Sequence, residues 1–596
     1  MVVQALAALR VRDVVLAPGS RSGPLALALA DAARATDRPA GAPAVRLHVR
    51  IDERSAGFLA LGLARAAAAA EPPGVPVAVV TTSGTAVANL HPAVLEAHHA
   101  GLPLLVLSAD RPHELRGTGA NQTTDQAGIF GEAVRWCVDV PAPAGLPDEA
   151  RNLRSVVARA VALATGARTG FPGPVQLNLC YREPLVPAGD EPWPAPEPAG
   201  LTMVEPAGER AVAPASAAVL TGAVRAVAPA DTTRRRRGRR AQPTVVVAGD
   251  GAGPAARRLA ETTGWPLLAE PSSGARSGPQ AVTAYRCLLD DERLGGAIRR
   301  AVVFGRPTLS RQVNRLLASP DVEVVVISPR GALWPDAARN AAEVHVDVPA
   351  GLRRAGAPEG WTQRWYAADA AARAVLATMF DVTPSPAGTR RSRHASRVTG
   401  PALARAVAQV SEPSDVLLVG SSNPARDLDL VAAWEAAPLV IANRGLAGID
   451  GLVSTATGLA LGLPERRVRA YLGDLSFLHD IGGLLRGPAE PTADVQIVVA
   501  NDGGGSIFST LEPGDLEDVS AFERVFGTPH GADLGALCAG YGVRHVRVTD
   551  IDGLLPALAA PGTGVGVVEV RVDRAGRQAL AERVRSAMAT ALADVR

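Results

Sequence analysis

The sequence predicts an α/β protein built from three parallel-sheet units, on three observations. Short apolar runs that end in small or polar residues alternate with helical patterns along most of the chain, the rhythm of βα units on a parallel sheet. At 596 residues the chain is too long for one core and has the length of three ordinary domains. Apolar residues make up 47% and aromatics only 4%, a composition suited to small helix-to-sheet contacts.

The elements follow in order. From 1 to about 185, "DVVLAPGS", "PVAVVTTSG", "LPLLVLSADRP" and "GPVQLNLC" read as strands, with a helical stretch such as "TAVANLHPAVLEAHHAG" after the second. "EPLVPAGDEPWPAPEPAG" reads as a Pro-rich linker. Residues 205–355 form a central α/β domain with an arginine-rich loop near 231–243, "TTRRRRGRRAQP". Lacking interleaved aromatics or a recognised module, that run is expected to be a solvated loop and not a nucleic-acid site. "GDGAGPAARR" after the strand "PTVVVA" lacks a full GxGxxG, so it signals a dinucleotide only weakly. Residues 355–398 are expected to form a second connection, part helix and part flexible. From 395 to 596 the theme returns in "DVLLVGSSN", "APLVIANRG", "VRAYLGDLSF", "DVQIVVANDGGG" and "GVGVVEVRV".

Net charge is +2, from 61 basic and 59 acidic residues, and names no polyanionic partner. Every basic residue is arginine. Cys137, Cys180, Cys287 and Cys538 lie far apart without metal-ligand spacing and are expected as buried thiols in a reducing cytosol. The N-terminus has no basic region before its apolar stretch and runs straight into a strand-like segment, so this stretch is not expected to be a signal peptide. No apolar run has the length of a membrane span. A cytoplasmic protein with neither nucleic acid nor membrane as partner is expected.

The stretch "YLGDLSFLHD" sets Asp474 directly after a buried-strand pattern and Gly473. A second such strand, "DVQIVVAND", ends at Asn501, 27 positions further on, before Gly503–Gly505. That spacing accommodates a crossover helix and a return to the neighbouring strand. Both polar groups then stand at carboxyl ends of strands, where open α/β sheets bind ligands. An Asp oxygen, an Asn amide oxygen and a backbone carbonyl are hard donors that could complete an octahedral Mg²⁺ with diphosphate oxygens. A polar strand end with a glycine-rich turn explains either half alone; the spaced pair favours metal and diphosphate.

"GDLSFLHD…NDGGG" resembles the diphosphate motif of thiamine-diphosphate enzymes. Where the generic motif has a second glycine this chain has Leu475, a departure that one branch tolerates. That branch is the 2-succinyl-5-enolpyruvyl-6-hydroxy-3-cyclohexene-1-carboxylate synthase family. "APGSRSGPLALAL", "RIDERSAGFLALGLA", "TTSGTAVANLHPAVLEA", "SADRPHELRGTGANQ", "GSSNPARDLD" and "NRGLAGIDGLVSTATG" are similar to its segments, in order, through the first and last thirds. The middle third resembles it through "GRPTLSRQV".

The resemblance implies the thiamine-diphosphate decarboxylase type of fold: a pyrimidine-binding domain over 1–185, the central domain, and a diphosphate-binding domain over 395–596. It implies thiamine diphosphate with Mg²⁺, for which Mn²⁺ can substitute. By it Asp474, Asn501 and the Gly503 carbonyl are the metal ligands. Glu53 is the catalytic carboxyl beside the aminopyrimidine, where a largely apolar site lets it share a proton with a ring nitrogen. Ser83 and Gly84 shape the pyrimidine side, and Ile449 props the cofactor into its bent form. Gly473, Leu475, Ser476, Gly504, Ile507 and Phe508 complete the cofactor set. The implied substrates are 2-oxoglutarate and isochorismate, and the reaction is decarboxylation followed by 1,4-addition of the succinyl carbanion equivalent, in menaquinone biosynthesis. Planar guanidiniums suit their carboxylates, and the family's anion-binding positions fall on Ser20, Arg21, Arg111, Asn121, Gln122, Arg311, Ser422, Arg426 and Arg444. The family also implies a homo-oligomer, a dimer at least and a tetramer as a dimer of dimers, with Glu53 and the diphosphate ligands of one site on different subunits. A start upstream of Met1 is a further expectation.

Two alternatives stand beside this reading. An acetolactate-synthase-like carboligase would want a pocket for small uncharged acceptors in place of the arginine set. A non-catalytic scaffold would be favoured by loss of Glu53, Asp474 or Asn501, and all three are present.

Overall fold

The computed structural model describes residues 1–187, 192–205, 241–331, 333–385, 397–560, 562–593 and 595. The arginine run of 234–240 lies outside them, as does part of the Pro-rich linker. Three sheets are present. The first contains β1 (Asp13–Leu16), β2 (Arg46–Val49), β3 (Val77–Thr81), β4 (Leu104–Asp110), β5 (Cys137–Val140) and β6 (Pro174–Cys180), in the order β2-β1-β3-β4-β6-β5, all parallel. The second contains β7 (Thr244–Ala248), β8 (Leu267–Ala269), β9 (Arg300–Phe304), β10 (Glu323–Ile327) and β11 (Ala341–His345), in the parallel order β11-β10-β9-β7-β8. The third contains β12 (Val416–Val419), β13 (Leu439–Ile441), β14 (Val468–Gly473), β15 (Val495–Asn501), β16 (Arg544–Val548) and β17 (Val565–Arg571), in the order β13-β12-β14-β15-β17-β16. Counted within each sheet, the first and third share one winding, which places β14 beside β15.

The central strands are buried along their length, as in β3, β4, β6, β7 and β9. This is why they read as unbroken apolar runs: helices cover both faces of a parallel sheet.

The chain forms two compact units. One comprises Met1–Ala213 with Asn443–Val468 and Ser476–Val495; the other comprises Pro214–Ala442 with Arg469–Leu475 and Gln496–Arg596. In the first unit, helix Glu53–Ala70 is buried almost all round over its middle turns and crosses helix Leu452–Gly462. Gly62 and Gly458 make that crossing: a side chain on Gly62 would meet the Gly458 Cα at 3.0 Å and run into the Thr455 carbonyl.

In the second unit one core runs from Val245 and Val303 through Trp361 and Trp365 to Leu403, Val498 and Val570. Residues 361–379, within the expected second connection, form a helix that this core absorbs, with Trp361 and Trp365 fully buried and Trp361 Nε1 donating to the Thr244 carbonyl at 2.9 Å. Aromatics four apart place two large rings on one face, which anchors the segment. The glycines of "GDGAGP" serve a turn, with positive φ at Gly251 and Gly253 and Gly249 against the Arg306–Pro307 backbone. Among the described residues no helix is long and apolar enough to cross a membrane.

Candidate active site

The second unit holds the diphosphate elements. Asp474 directly follows β14, opens helix Asp474–His479 and is 3% exposed. Its Oδ1 accepts from the Leu475 amide at 2.8 Å, and its Oδ2 accepts from the amides of Gly503 and Gly504 at 2.8 and 2.9 Å. Asn501, the last residue of β15, is 1% exposed. Its Nδ2 donates to Glu569 Oε1 at 2.8 Å, which fixes the amide so that Oδ1 faces the loop and accepts from Gly503 N at 3.1 Å. Glu569, buried on β17, is itself held by His545 and Arg547 at 2.9 Å each.

The Asp474 and Asn501 oxygens thus converge on one point, the Gly503 amide. Two hard oxygens on adjacent buried strand ends fit the donor set of a magnesium diphosphate site. The Gly503 carbonyl accepts from Arg574 Nη1 at 3.3 Å and from the His530 amide at 3.4 Å. Gly503 and Gly504 have φ of 78° and 149°, and a side chain on Gly504 would strike the Gly527 carbonyl, so the close approach of these backbones requires glycine. Asp502 has its carboxyl pushed up to about 6, by burial first and by the Asp474 charge second. It accepts from Ser506 Oγ, which in turn accepts from Asn423 Nδ2 at 2.7 Å. Ile507 and Phe508 follow half-buried, Phe508 against Phe526. Gly473 and Leu475 are half-buried and Ser476 is buried.

Ser422 caps helix Asn423–Val431 with φ 74°, ψ −136°, a backbone shape that non-glycine residues rarely adopt. Its carbonyl accepts from Arg426 Nη1 at 3.2 Å. Arg311 opens helix Arg311–Ala318 on the surface.

In the first unit, Glu53 opens its helix behind the Asp52 cap, which accepts from the Arg54 amide at 2.9 Å. Glu53 is half-buried and accepts from Asn89 Nδ2 at 3.2 Å through Oε2. Arg21 and Arg111 are each 8% exposed. Arg111 donates to Ser83 Oγ and to the Gln122 carbonyl at 2.9 Å, while Ser83 Oγ donates to that same carbonyl and Gln122 Nε2 returns a bond to the Ser83 carbonyl, both at 2.9 Å. Arg21 donates to the Tyr181 carbonyl at 2.9 Å. Burial, then the neighbouring Arg21 charge, holds the Arg111 guanidinium below its usual value. Gly84, φ 83°, starts the next helix. Ser20, Asn121 and Gln122 are exposed, Arg444 is 7% exposed and Ile449 is 37% exposed.

Three polar residues beside this set escape sequence reading. Glu569 lies inside an apolar strand pattern without a motif, and the buried Glu96 lies in the family-like segment "TTSGTAVANLHPAVLEA" without a role assigned to it. His530, whose Nε2 lies 3.0 Å from Asp474 Oδ2, comes 56 residues later in an ordinary loop sequence. Asp110, Asp139 and Cys180 also cluster, but Arg116 reaches all three, at 2.9 Å from Asp110, 2.6 Å from Asp139 and 2.9 Å from the Cys180 sulfur, so its guanidinium balances the group's charge.

Two sheets of one winding, a glutamate opening a helix in one unit and an Asp–Asn pair at the ends of adjacent strands in the other, match the layout that the sequence resemblance implies for a thiamine-diphosphate enzyme. Comparisons with known proteins show that class. Family descriptions agree: residues 1–129 match "Thiamine pyrophosphate enzyme, N-terminal TPP binding domain" and residues 432–589 match "Thiamine pyrophosphate enzyme, C-terminal TPP binding domain". The chain is 48% identical to the 2-succinyl-5-enolpyruvyl-6-hydroxy-3-cyclohexene-1-carboxylate synthase of Kineococcus radiotolerans, covering 100% of this chain and 98% of that one. Enzymes of the same name from Nocardioides sp. (46% identity; 98% and 96% covered) and Arthrobacter sp. (45%; 98% and 90%) are similar throughout. The chain belongs to this synthase family. A benzoylformate decarboxylase from Polynucleobacter necessarius shares the fold, with TM-score 0.65 and 18% identity over 96% of this chain and 98% of that one.

Proposed function

We propose that the chain decarboxylates 2-oxoglutarate and joins the succinyl carbanion equivalent to isochorismate by 1,4-addition, giving 2-succinyl-5-enolpyruvyl-6-hydroxy-3-cyclohexene-1-carboxylate for menaquinone biosynthesis. The name shared by its relatives supports the reaction, and the Arg21–Arg111 pair supports the substrate class. Two buried guanidiniums whose hydrogen bonds run mainly to neutral oxygens, with Arg21 also 3.8 Å from the exposed Glu183 carboxylate, suit an anionic ligand.

Thiamine diphosphate, when bound, supplies the electron sink that lets the oxoacid lose carbon dioxide. Asp474, Asn501 and the Gly503 carbonyl would hold its Mg²⁺ (or Mn²⁺), with Gly473, Leu475, Ser476, Gly504, Ile507 and Phe508 around the cofactor. Glu53 would share a proton with the aminopyrimidine nitrogen, its other oxygen steadied by Asn89. Ser83, Gly84 and Ile449 would shape the ring site. Arg21, Arg111, Arg426 and Arg444, with Ser20, Asn121, Gln122, Ser422 and Arg311, would orient the substrate carboxylates and exclude water from the reacting carbon. The reading also includes a cytoplasmic homodimer or tetramer, pyrimidine-binding and diphosphate-binding domains over 1–185 and 395–596, and a central domain over 205–355. The test is incubation with cofactor, Mg²⁺ and 2-oxoglutarate, with and without isochorismate, following carbon dioxide and the adduct mass. The adduct is expected only with both substrates; carbon dioxide without adduct would refute the acceptor.

A further inference from the structure

We infer that Glu96 is the positioning residue for the loop Asn443–Gly451, so that one buried carboxylate places both Arg444 and Ile449. The inference rests on the substrate and cofactor roles proposed above for those two residues.

Glu96 is 4% exposed on helix His91–Ala100. Both its oxygens hold the loop: Oε1 accepts from the Gly445 amide and Oε2 from the Leu446 amide, each at 2.8 Å. Arg65, from helix Glu53–Ala70, donates through Nη2 to Glu96 Oε1 at 2.8 Å and through Nε to Asn443 Oδ1 at 3.0 Å. Asn443 in turn donates to Thr455 Oγ1 at 3.2 Å. One ion pair therefore grips three loop positions, 443, 445 and 446, on either side of Arg444. Gly445 permits this closeness, since a side chain there would lie 2.6 Å from Glu96 Oε2 and 2.7 Å from its backbone oxygen.

The rest of the loop is less firmly seated. A hollow of about 190 Å³, lined by Phe58, Pro92, Leu95, Gly448 and Asp450 as well as Glu96, lies against it. Packing there is incomplete: Leu446, which also lines the hollow, is 55% exposed and Ile449 is 37% exposed. The loop's placement therefore depends on the polar ties. Neutralising Glu96 would leave Arg65 and an amide buried without a full partner, which favours a loop shift.

The experiment compares full-length Glu96→Gln and Gly445→Ala with Arg444→Ala and Ile449→Ala. Gly445→Ala pushes the loop off an intact carboxylate, so it serves if Glu96→Gln folds poorly. Thiamine diphosphate affinity with Mg²⁺ is measured by calorimetry, KM and kcat for each substrate by adduct formation, and Tm by melting. Ile449→Ala should weaken cofactor binding and Arg444→Ala should raise the KM of a carboxylate substrate. Glu96→Gln and Gly445→Ala should do both, each by about tenfold or more, as a misplacement of the order of 1 Å does. Glu96→Gln and Gly445→Ala that change Tm alone, while the loop variants show their effects, would overturn the inference and reduce Glu96 to a fold residue. Silence of Arg444→Ala and Ile449→Ala would overturn it by another route, through the roles assigned to them.

Discussion

Asp474 and Asn501 are useful to a cation only because other residues aim them. Glu569 fixes the Asn501 amide, and the loop amides converge on both oxygens. Asp474→Ala is expected to abolish Mg²⁺-dependent binding of thiamine diphosphate in calorimetry. Glu569→Gln, one layer out, should weaken it by about 10- to 100-fold, the usual cost of losing an outer-shell partner. The Asp474–Asn501 pair stood out in the sequence through its spacing, and Glu53 only through the family resemblance. Glu569 did not, because a single acid in a strand looks like a solvent-facing residue until its three donors are seen.

A second carboxylate makes a pH prediction. Asp480, 6% exposed, ties Ser454 to Ser55 on the Glu53 helix, and burial pushes its carboxyl from 3.8 up to about 6 despite those bonds. The folded state therefore holds this proton more tightly than the unfolded chain. The associated stability is intact below the unfolded value and is lost as pH rises to the folded one. About two pKa units correspond to roughly 3 kcal/mol. Asp480→Asn, which mimics the neutral acid, should gain on the native chain by about that amount between about pH 4 and pH 7 in melts across pH. Parallel profiles would refute it.

At the scale of elements, the strands were legible because burial on both faces leaves unbroken Val/Leu runs. The helix Trp361–Met379 was less so: its long-range packing, not its local pattern, decides that it belongs to the core. The crossing of helices Glu53–Ala70 and Leu452–Gly462 was also hidden, since a glycine inside a helix is visible but its opposite number is not. Gly62→Ala should gain up to roughly 1 kcal/mol of helix propensity yet lose about 1–3 kcal/mol to overpacking against Thr455 and Gly458. A lower Tm is the expected result, and an unchanged or raised Tm would show that the crossing has room.

At the scale of the molecule, the residues proposed for the two halves of the chemistry belong to two domains whose sheets share one winding, Glu53 opening a helix of the first and Asp474 with Asn501 at strand ends of the third sheet. The proposed dimer takes the two halves of each site from different subunits. Co-expressed Glu53→Gln and Asp474→Ala chains, each inactive alone, should then form mixed dimers with one intact site and about half the native activity per dimer, by the symmetry of the pair. No recovery in purified mixed dimers would place both halves of a site on one chain.

The most direct measurement is exchange of the thiazolium C2 proton into deuterated water, read by NMR after acid quench with Mg²⁺ and cofactor bound. Exchange in the native chain should be fast. Glu53→Gln should slow it by at least about 100-fold, the contribution of a positioned proton-transfer group, with cofactor affinity nearly unchanged. Exchange at the native rate in Glu53→Gln would contradict the assignment of Glu53 and, with it, the chemistry built on this site.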